Sequence, residues 1–337
     1  MKCLKDAINH WQAVAHKHNQ ARVQKNPQEP DEECLFRAFV DYFSHQHYAT
    51  VVDTSVTHKH LVSYQPIAPY TAWPNPVRKE ISDVFVVAFS IKRNLARMTH
   101  LQAKLERQNG LNTSTNNFVF ELDDGQYLML HNRLQVHDKS GDFPDDILSC
   151  PLYSDSIASY GVFYHDGTEY NMAYELAPLI SYFGNTPYAD KDAKDNHIFA
   201  TTQNLWGYTN IKSPTIPFYY AYPWLDHCEL LSSVNINTFE RELLSLRVGT
   251  KVDFDIRMLQ KIEAFFRKKK ADLKDFDVFV SQQIKQIKDG PLFRYVEEIH
   301  DNGFDNVPPQ INEYENVEEE NGRVFLLINF DLINNRE

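Results

Sequence analysis

The chain has 337 residues, 42% of them hydrophobic and 13% aromatic, which is material for one large decorated domain or two smaller ones around a substantial core. A formal net charge of -12 argues against a surface that binds nucleic acid throughout, because phosphate contacts need clustered Lys and Arg, so any such binding must be local or shared with a partner. The opening MKCLKDAINHWQ has no apolar signal region, no later stretch approaches the ~20 apolar residues of a membrane span, and the four cysteines are dispersed without a CxxC pair; the expectation is a cytoplasmic protein with reduced thiols and no membrane association.

Leu4, Ile8, Trp11 and Ala15 recur at the spacing of one helix face, so the chain opens on an amphipathic helix. Two prolines interrupt, and Asp31 then stands ready to cap a second helix whose apolar side carries Leu35, Phe36, Phe39, Val40 and Phe43. At about 100° per residue Glu32 falls near the middle of that apolar side. An inward carboxylate there either complements the positive end of the helix dipole or belongs to a site. Residues 48–76 read as short extended pieces, and the four prolines between 66 and 76 restrict them to a loop or a sheet edge. Asp83 then stands at the entrance of VFVVAF, an unbroken apolar run of the kind that forms a strand buried on both faces. In the next segment, RMTHLQAKLER, alternation puts Met98, His100, Gln102 and Lys104 on one face of a strand and Thr99, Leu101, Ala103 and Leu105 on the other.

Asp83 at the head of an apolar strand, Gln102-Ala103-Lys104 on the following strand and Glu32 on an upstream helix resemble the PD-(D/E)XK restriction-endonuclease-like nucleases, over about residues 30 to 110. The resemblance implies an α/β fold with a mixed sheet flanked by helices, and a metal-dependent deoxyribonuclease of a bacterial defence system. It also implies that Asp83, Gln102 and Glu32 hold Mg²⁺ or Mn²⁺ and that Lys104 assists the attacking water. Gln102 departs from the family's acidic residue and offers only a neutral amide oxygen. Read without the resemblance, Gln102 and Lys104 form the solvated face of an amphipathic strand and Asp83 caps a turn.

Further along, Asp124-Gly125 in NFVFELDDGQYLMLHNR and Asp166-Gly167 in YGVFYHDGTEYNMAYEL predict two hairpins, either extending the sheet or inserted for substrate recognition. From Asn237 the periodicity turns helical through residue 289, with Asn237 or Thr238 as the first cap and Gly249 as a stop, and the tail predicts an acidic linker, a hairpin through Asn321-Gly322 and a strand. A nuclease-like core over 1–232 with hairpin insertions, followed by a mainly helical region over 233–337, is the expected organisation. Lys92, Arg93, Arg97 and the run Arg267, Lys268, Lys269 and Lys270 are the candidate contacts to DNA, although that run also reads as a solvated helix end. His45, His47, His58 and His60, and the aromatic TIPFYYAYPW, read as surface or packing residues before metal ligands or base-stacking platforms. The functional alternatives are a DNA endonuclease, and a non-catalytic subunit that keeps a nuclease-like fold and binds a protein partner or a second copy of itself.

Overall fold

The structure, a computed structural model, describes residues 3–18, 30–53, 61–67, 76–106, 119–138, 143–183, 197–202, 218–221, 228–233, 235–268, 271–289 and 324–333. In chain order they form helices α1 (Leu4–Asn9), α2 (Trp11–His18) and α3 (Glu32–Ser44), then strands β1 (Ala49–Asp53), β2 (Leu61–Tyr64), β3 (Val77–Glu80), β4 (Val84–Ser90), β5 (Leu95–Leu105) and β6 (Val119–Asp123). Helix α4 (Asp124–His131) leads to β7 (Ala158–His165), β8 (Tyr170–Leu176), β9 (Ile180–Phe183), β10 (His197–Thr202), β11 (Phe218–Ala221) and β12 (Cys228–Ser233). Helix α5 (Ile236–Leu243), β13 (Thr250–Lys251), α6 (Ile256–Lys268), α7 (Lys274–Asp289), β14 (Val324–Asn329) and the short α8 (Phe330–Ile333) complete the order.

A mixed sheet in the order β1-β14-β4-β5-β7-β8-β12-β11, with β13 joined to β5, divides two apolar cores. Phe85, Val87, Phe89, Ala96 and Met98 point into one core, under α4, α6 and α7. Val84, Val86, Ala88, Leu101 and Ala103 point into the other, under α1, α2, α3 and α5. The fold is therefore α/β with helices on both faces, which is why β4 is buried along its whole length, as its unbroken apolar run predicts. β14 lies parallel to β4 and antiparallel to β1. β4 and β5 pair antiparallel, from Val84 opposite Leu101 to Ser90 opposite Leu95. The other edge of β5 is shared between β13 at its start and β7, parallel to it, along its second half. Separate small sheets join β2 to β3, and β6 to β10 and β9.

Local chemistry accounts for the element ends. Asp31 caps α3 as expected, its side chain accepting from the Cys34 N–H at 2.8 Å. The apolar face that follows buries Leu35, Phe36, Phe39, Val40 and Phe43. The Asp166-Gly167 hairpin forms between β7 and β8, with Asp166 Oδ1 accepting from the N–H groups of Thr168 and Glu169 (both 3.0 Å) and Gly167 at φ 102°. The predicted hairpin at Asp124-Gly125 does not form. Asp123 ends β6 and accepts from the Gln126 N–H at 2.8 Å, so α4 starts there. α5 is capped by Asn235, ahead of the predicted Asn237 or Thr238, and it ends at Leu243. Gly249 serves a different purpose from a helix stop: its φ is 88° and a Cβ there would stand 2.4 Å from the Met98 carbonyl oxygen, which lets the chain pass close to β5. Position 232 marks no break, because β14 from the C-terminal region lies between β1 and β4, and α5, α6 and α7 complete the two cores. Asn321-Gly322 lies outside the described residues.

Candidate active site at the overhang of the central hairpin

β5 is longer than its partner. Its pairing with β4 stops at Val84 opposite Leu101, so residues 102 to 105 project past the start of β4, and among the described residues their β4-side N–H groups have no strand partner. Two carboxylates fill the gap. Asp83, one residue before β4, accepts from the Ala103 N–H at 2.6 Å, and Glu32, in the first turn of α3, accepts from the Leu105 N–H at 3.1 Å. These N–H groups are two residues apart, so the carboxylates attach to the same edge about 7 Å from one another. An unpaired buried N–H is costly, and this is the local reason for an acid at each position.

The predicted residues divide into two hydrogen-bonded pairs. Gln102 Nε2 donates to Asp83 Oδ2, and Lys104 Nζ pairs with Glu32 Oε1 at 3.4 Å. Residues opposite one another in a ladder share a face. Extending the register by one residue puts Asp83 opposite Gln102, so Asp83, Gln102 and Lys104 occupy one side of the sheet, as the alternation predicts. Glu32 comes from the helix layer on the other side and reaches the overhang around its end; its side chain is 40% exposed, against 13% for Lys104.

The orientation of the Gln102 amide differs from what a metal ligand requires. Gln126 Nε2 lies 2.9 Å from the Glu80 carbonyl oxygen, which can only accept, so this atom is the amide nitrogen. The same nitrogen donates to Gln102 Oε1 at 2.7 Å. The Gln102 NH₂ group is thereby turned toward Asp83, and its oxygen, the only atom of that side chain able to bind a cation, faces away. Both glutamines are buried, at 3% and 5% exposure. Around them stand Lys79, whose Nζ donates to Asp123 Oδ2 at 2.6 Å, and Tyr160 of β7, in register with Gln102. Burial pushes the Tyr160 hydroxyl well above its usual range, and the nearby Tyr127, Asp123 and Asp83 add to the shift. Among the described residues no group of three or more His, Cys, Asp or Glu is arranged to hold a metal ion.

Gln126, Lys79 and Asp123 were missed by the sequence reading. The signal for Asp123 and Gln126 was Asp123-x-x-Gln126, the capping-box spacing, which the Asp-Gly turn pattern obscured; Lys79, 44 residues upstream, had no local signal.

The basic residues proposed for DNA do not gather here. Arg97 is 1% exposed, ion-paired to Glu229 at 2.8 Å and bonded to the Gly249 carbonyl at 2.7 Å, so it is an internal structural cation and no surface contact. Lys92 and Arg93 are exposed but lie in the β4–β5 turn, about 20 Å along the strand from Asp83. There the Lys92 N–H is held by Asp331 at 3.1 Å, and Arg93 covers the Phe330 ring at 4.1 Å. Arg267 pairs with Glu263 at 2.7 Å and with Asp277 at 2.9 Å at the end of α6, beside the exposed Lys268. Lys269 and Lys270, and His58 and His60, lie outside the described residues. His45 and His47 bond to the backbone carbonyls of Asp41 (2.7 Å) and Leu332 (3.1 Å). Among the described residues no helix is long and apolar enough to cross a membrane. No family model, curated protein or solved structure matches the chain.

Proposed function

We propose that the chain is a metal-dependent endonuclease that hydrolyses phosphodiester bonds in DNA, as part of a bacterial defence system. What supports the reading is the single face shared by Asp83, Gln102 and Lys104 on the β5 overhang, with Glu32 meeting the same four residues of strand from α3. Two carboxylates and an amide oxygen are hard donors of the kind that suits Mg²⁺ or Mn²⁺. Asp83 would hold the ion as an anion, Gln102 would join it once its amide turned over, and Glu32, now engaged by Lys104 and the Leu105 N–H, would have to swing toward Asp83 to complete the shell. When bound, such an ion lowers the pKa of its water and stabilises charge on the phosphoryl oxygens. Lys104 supplies a fixed positive charge for the attacking water and the pentavalent phosphorus, and its pairing with Glu32 keeps the ammonium at the overhang. In the reaction the water oxygen bonds to phosphorus, the bridging P–O bond breaks and the departing oxygen ends protonated.

Conversion of supercoiled plasmid in Mg²⁺ or Mn²⁺ tests the reading. The parent protein should cleave, and Asp83→Asn and Lys104→Ala should each lose about 100-fold or more while keeping the parent's circular dichroism. Gln102→Glu restores an anionic ligand with little change of shape and should retain cleavage at lower Mg²⁺ concentration. Cleavage by Lys104→Ala at the parent rate removes this strand from catalysis.

A second reading, a non-catalytic interaction subunit with a protein partner or a second copy of itself, is favoured by one observation: Asp83 and Glu32 already complete the backbone hydrogen bonding of β5, a structural task that needs no chemistry. It expects no cleavage from either the parent or Gln102→Glu.

A further inference from the structure

We infer that Gln126 is a positioning residue that sets the cation affinity of the overhang by holding the Gln102 amide oxygen turned away from Asp83; the inference rests on the metal-dependent reading above. Three hydrogen bonds in series fix the arrangement: the Gln126 NH₂ group donates to the Glu80 carbonyl (2.9 Å) and to Gln102 Oε1 (2.7 Å), and the Gln102 NH₂ group donates to Asp83. The direction of the whole chain is set at its far end, by a backbone carbonyl that cannot donate.

Gln126 itself has little freedom. It is the third residue of α4, its N–H is held by Asp123 Oδ1 at 2.8 Å, and Asp123 is tied to Lys79 of β3 at 2.6 Å. Gly125 lets the Lys79 stem pass over the helix start, since a Cβ there would stand 2.6 Å from Lys79 Cε. The Tyr64 hydroxyl donates to the Gly125 carbonyl at 2.7 Å, adding β2 to the clamp. β2, β3 and the first turn of α4 thus form one body that presents a donor to Gln102.

A cation on Asp83 needs the Gln102 oxygen on the Asp83 side, because an NH₂ group there would face the ion with its hydrogens. Turning the amide breaks the bond to Asp83 and the bond from Gln126, and both lost bonds are subtracted from the binding free energy of the cation. Removing the donor therefore removes the Gln126 share of the penalty, and cation binding should tighten. A residue with a merely structural role would weaken binding when replaced, so the sign of the effect separates the two.

The test is Mn²⁺ binding by the full chain without DNA, read by electron paramagnetic resonance, for the parent, Gln126→Met, Gln126→Glu and Asp83→Asn. Gln126→Met keeps the length and packing without the donor; Gln126→Glu keeps the shape and offers only an acceptor to the Gln102 NH₂ group. The dissociation constant should fall about threefold to tenfold in Gln126→Met, and at least as far in Gln126→Glu. The Gln102 side-chain amide resonances should move in both variants before any cation is added. Should Asp83→Asn abolish Mn²⁺ binding while both Gln126 variants bind as the parent does or more weakly, the positioning role is overturned and the metal-dependent reading stands. Should no protein in the set bind Mn²⁺ in an Asp83-dependent way, the metal-dependent reading fails and this inference with it.

Discussion

Asp124 opens α4, where the helix dipole favours an anion, yet its carboxyl is pushed up to about 6 by burial and by the charge of Asp123, with Lys79 opposing. Among the described residues its buried Oδ2 has no hydrogen-bond partner. In the unfolded chain this carboxyl ionises near 3.8, so between pH 4 and pH 6 the folded state binds the extra proton and stability falls as pH rises. Asp124→Asn should then stabilise the protein against urea at pH 7 by up to about 3 kcal/mol and make no difference below about pH 4. An equal effect at both pH values would trace the gain to something other than ionisation. At this scale the sequence was informative about facing. Period-two alternation is enough to align Gln102 with Lys104, but no local pattern reports that Gln126 takes the Gln102 oxygen or that Glu229 takes Arg97.

At the scale of the element, α4 is where pattern reading and structure part. Asp124-Gly125 has turn chemistry, but Asp123 is an equally good helix cap, and the cap prevailed because Tyr127, Leu128, Met129 and Leu130 are buried in the core under the sheet. Asp123→Ala should cost about 1 kcal/mol for the lost cap, and up to about 1 kcal/mol more for the partly buried pair with Lys79, measured by the urea midpoint. A neutral outcome would mean that burial alone sets the start of the helix. By contrast α3, β4 and β5 formed as their patterns predict, because Asp31, the run from Val84 and the alternation from Met98 each agree with the tertiary position of their segment.

Across the whole molecule, the last described strand, β14, is built into the sheet between β1 and β4. β14 supplies one complete edge of pairing to β4, and Phe325 packs among Phe85, Phe143 and Phe265 with ring centroids 5.6, 5.7 and 3.7 Å away. A fragment ending at 232 would leave that edge of β4 open and both cores short of their helices. It should show no cooperative thermal transition by calorimetry. A sharp transition in that fragment would make 232 a true domain boundary.

What the sequence determined by itself is what depends on neighbours a few residues away: the capped helix with Glu32 in its first turn, the doubly buried strand behind Asp83, the polar face of β5 and the turn at Gly167. Tertiary structure decided which strand edges meet and which side chains answer each other across long separations. Val324 pairs with Val84, Leu105 is reached by Glu32, and Arg97 is neutralised by Glu229. The reason is physical. Periodicity and capping report how a segment divides its own surface between water and core, whereas pairing is settled by which edges and buried polar groups, once brought together, leave the fewest unsatisfied.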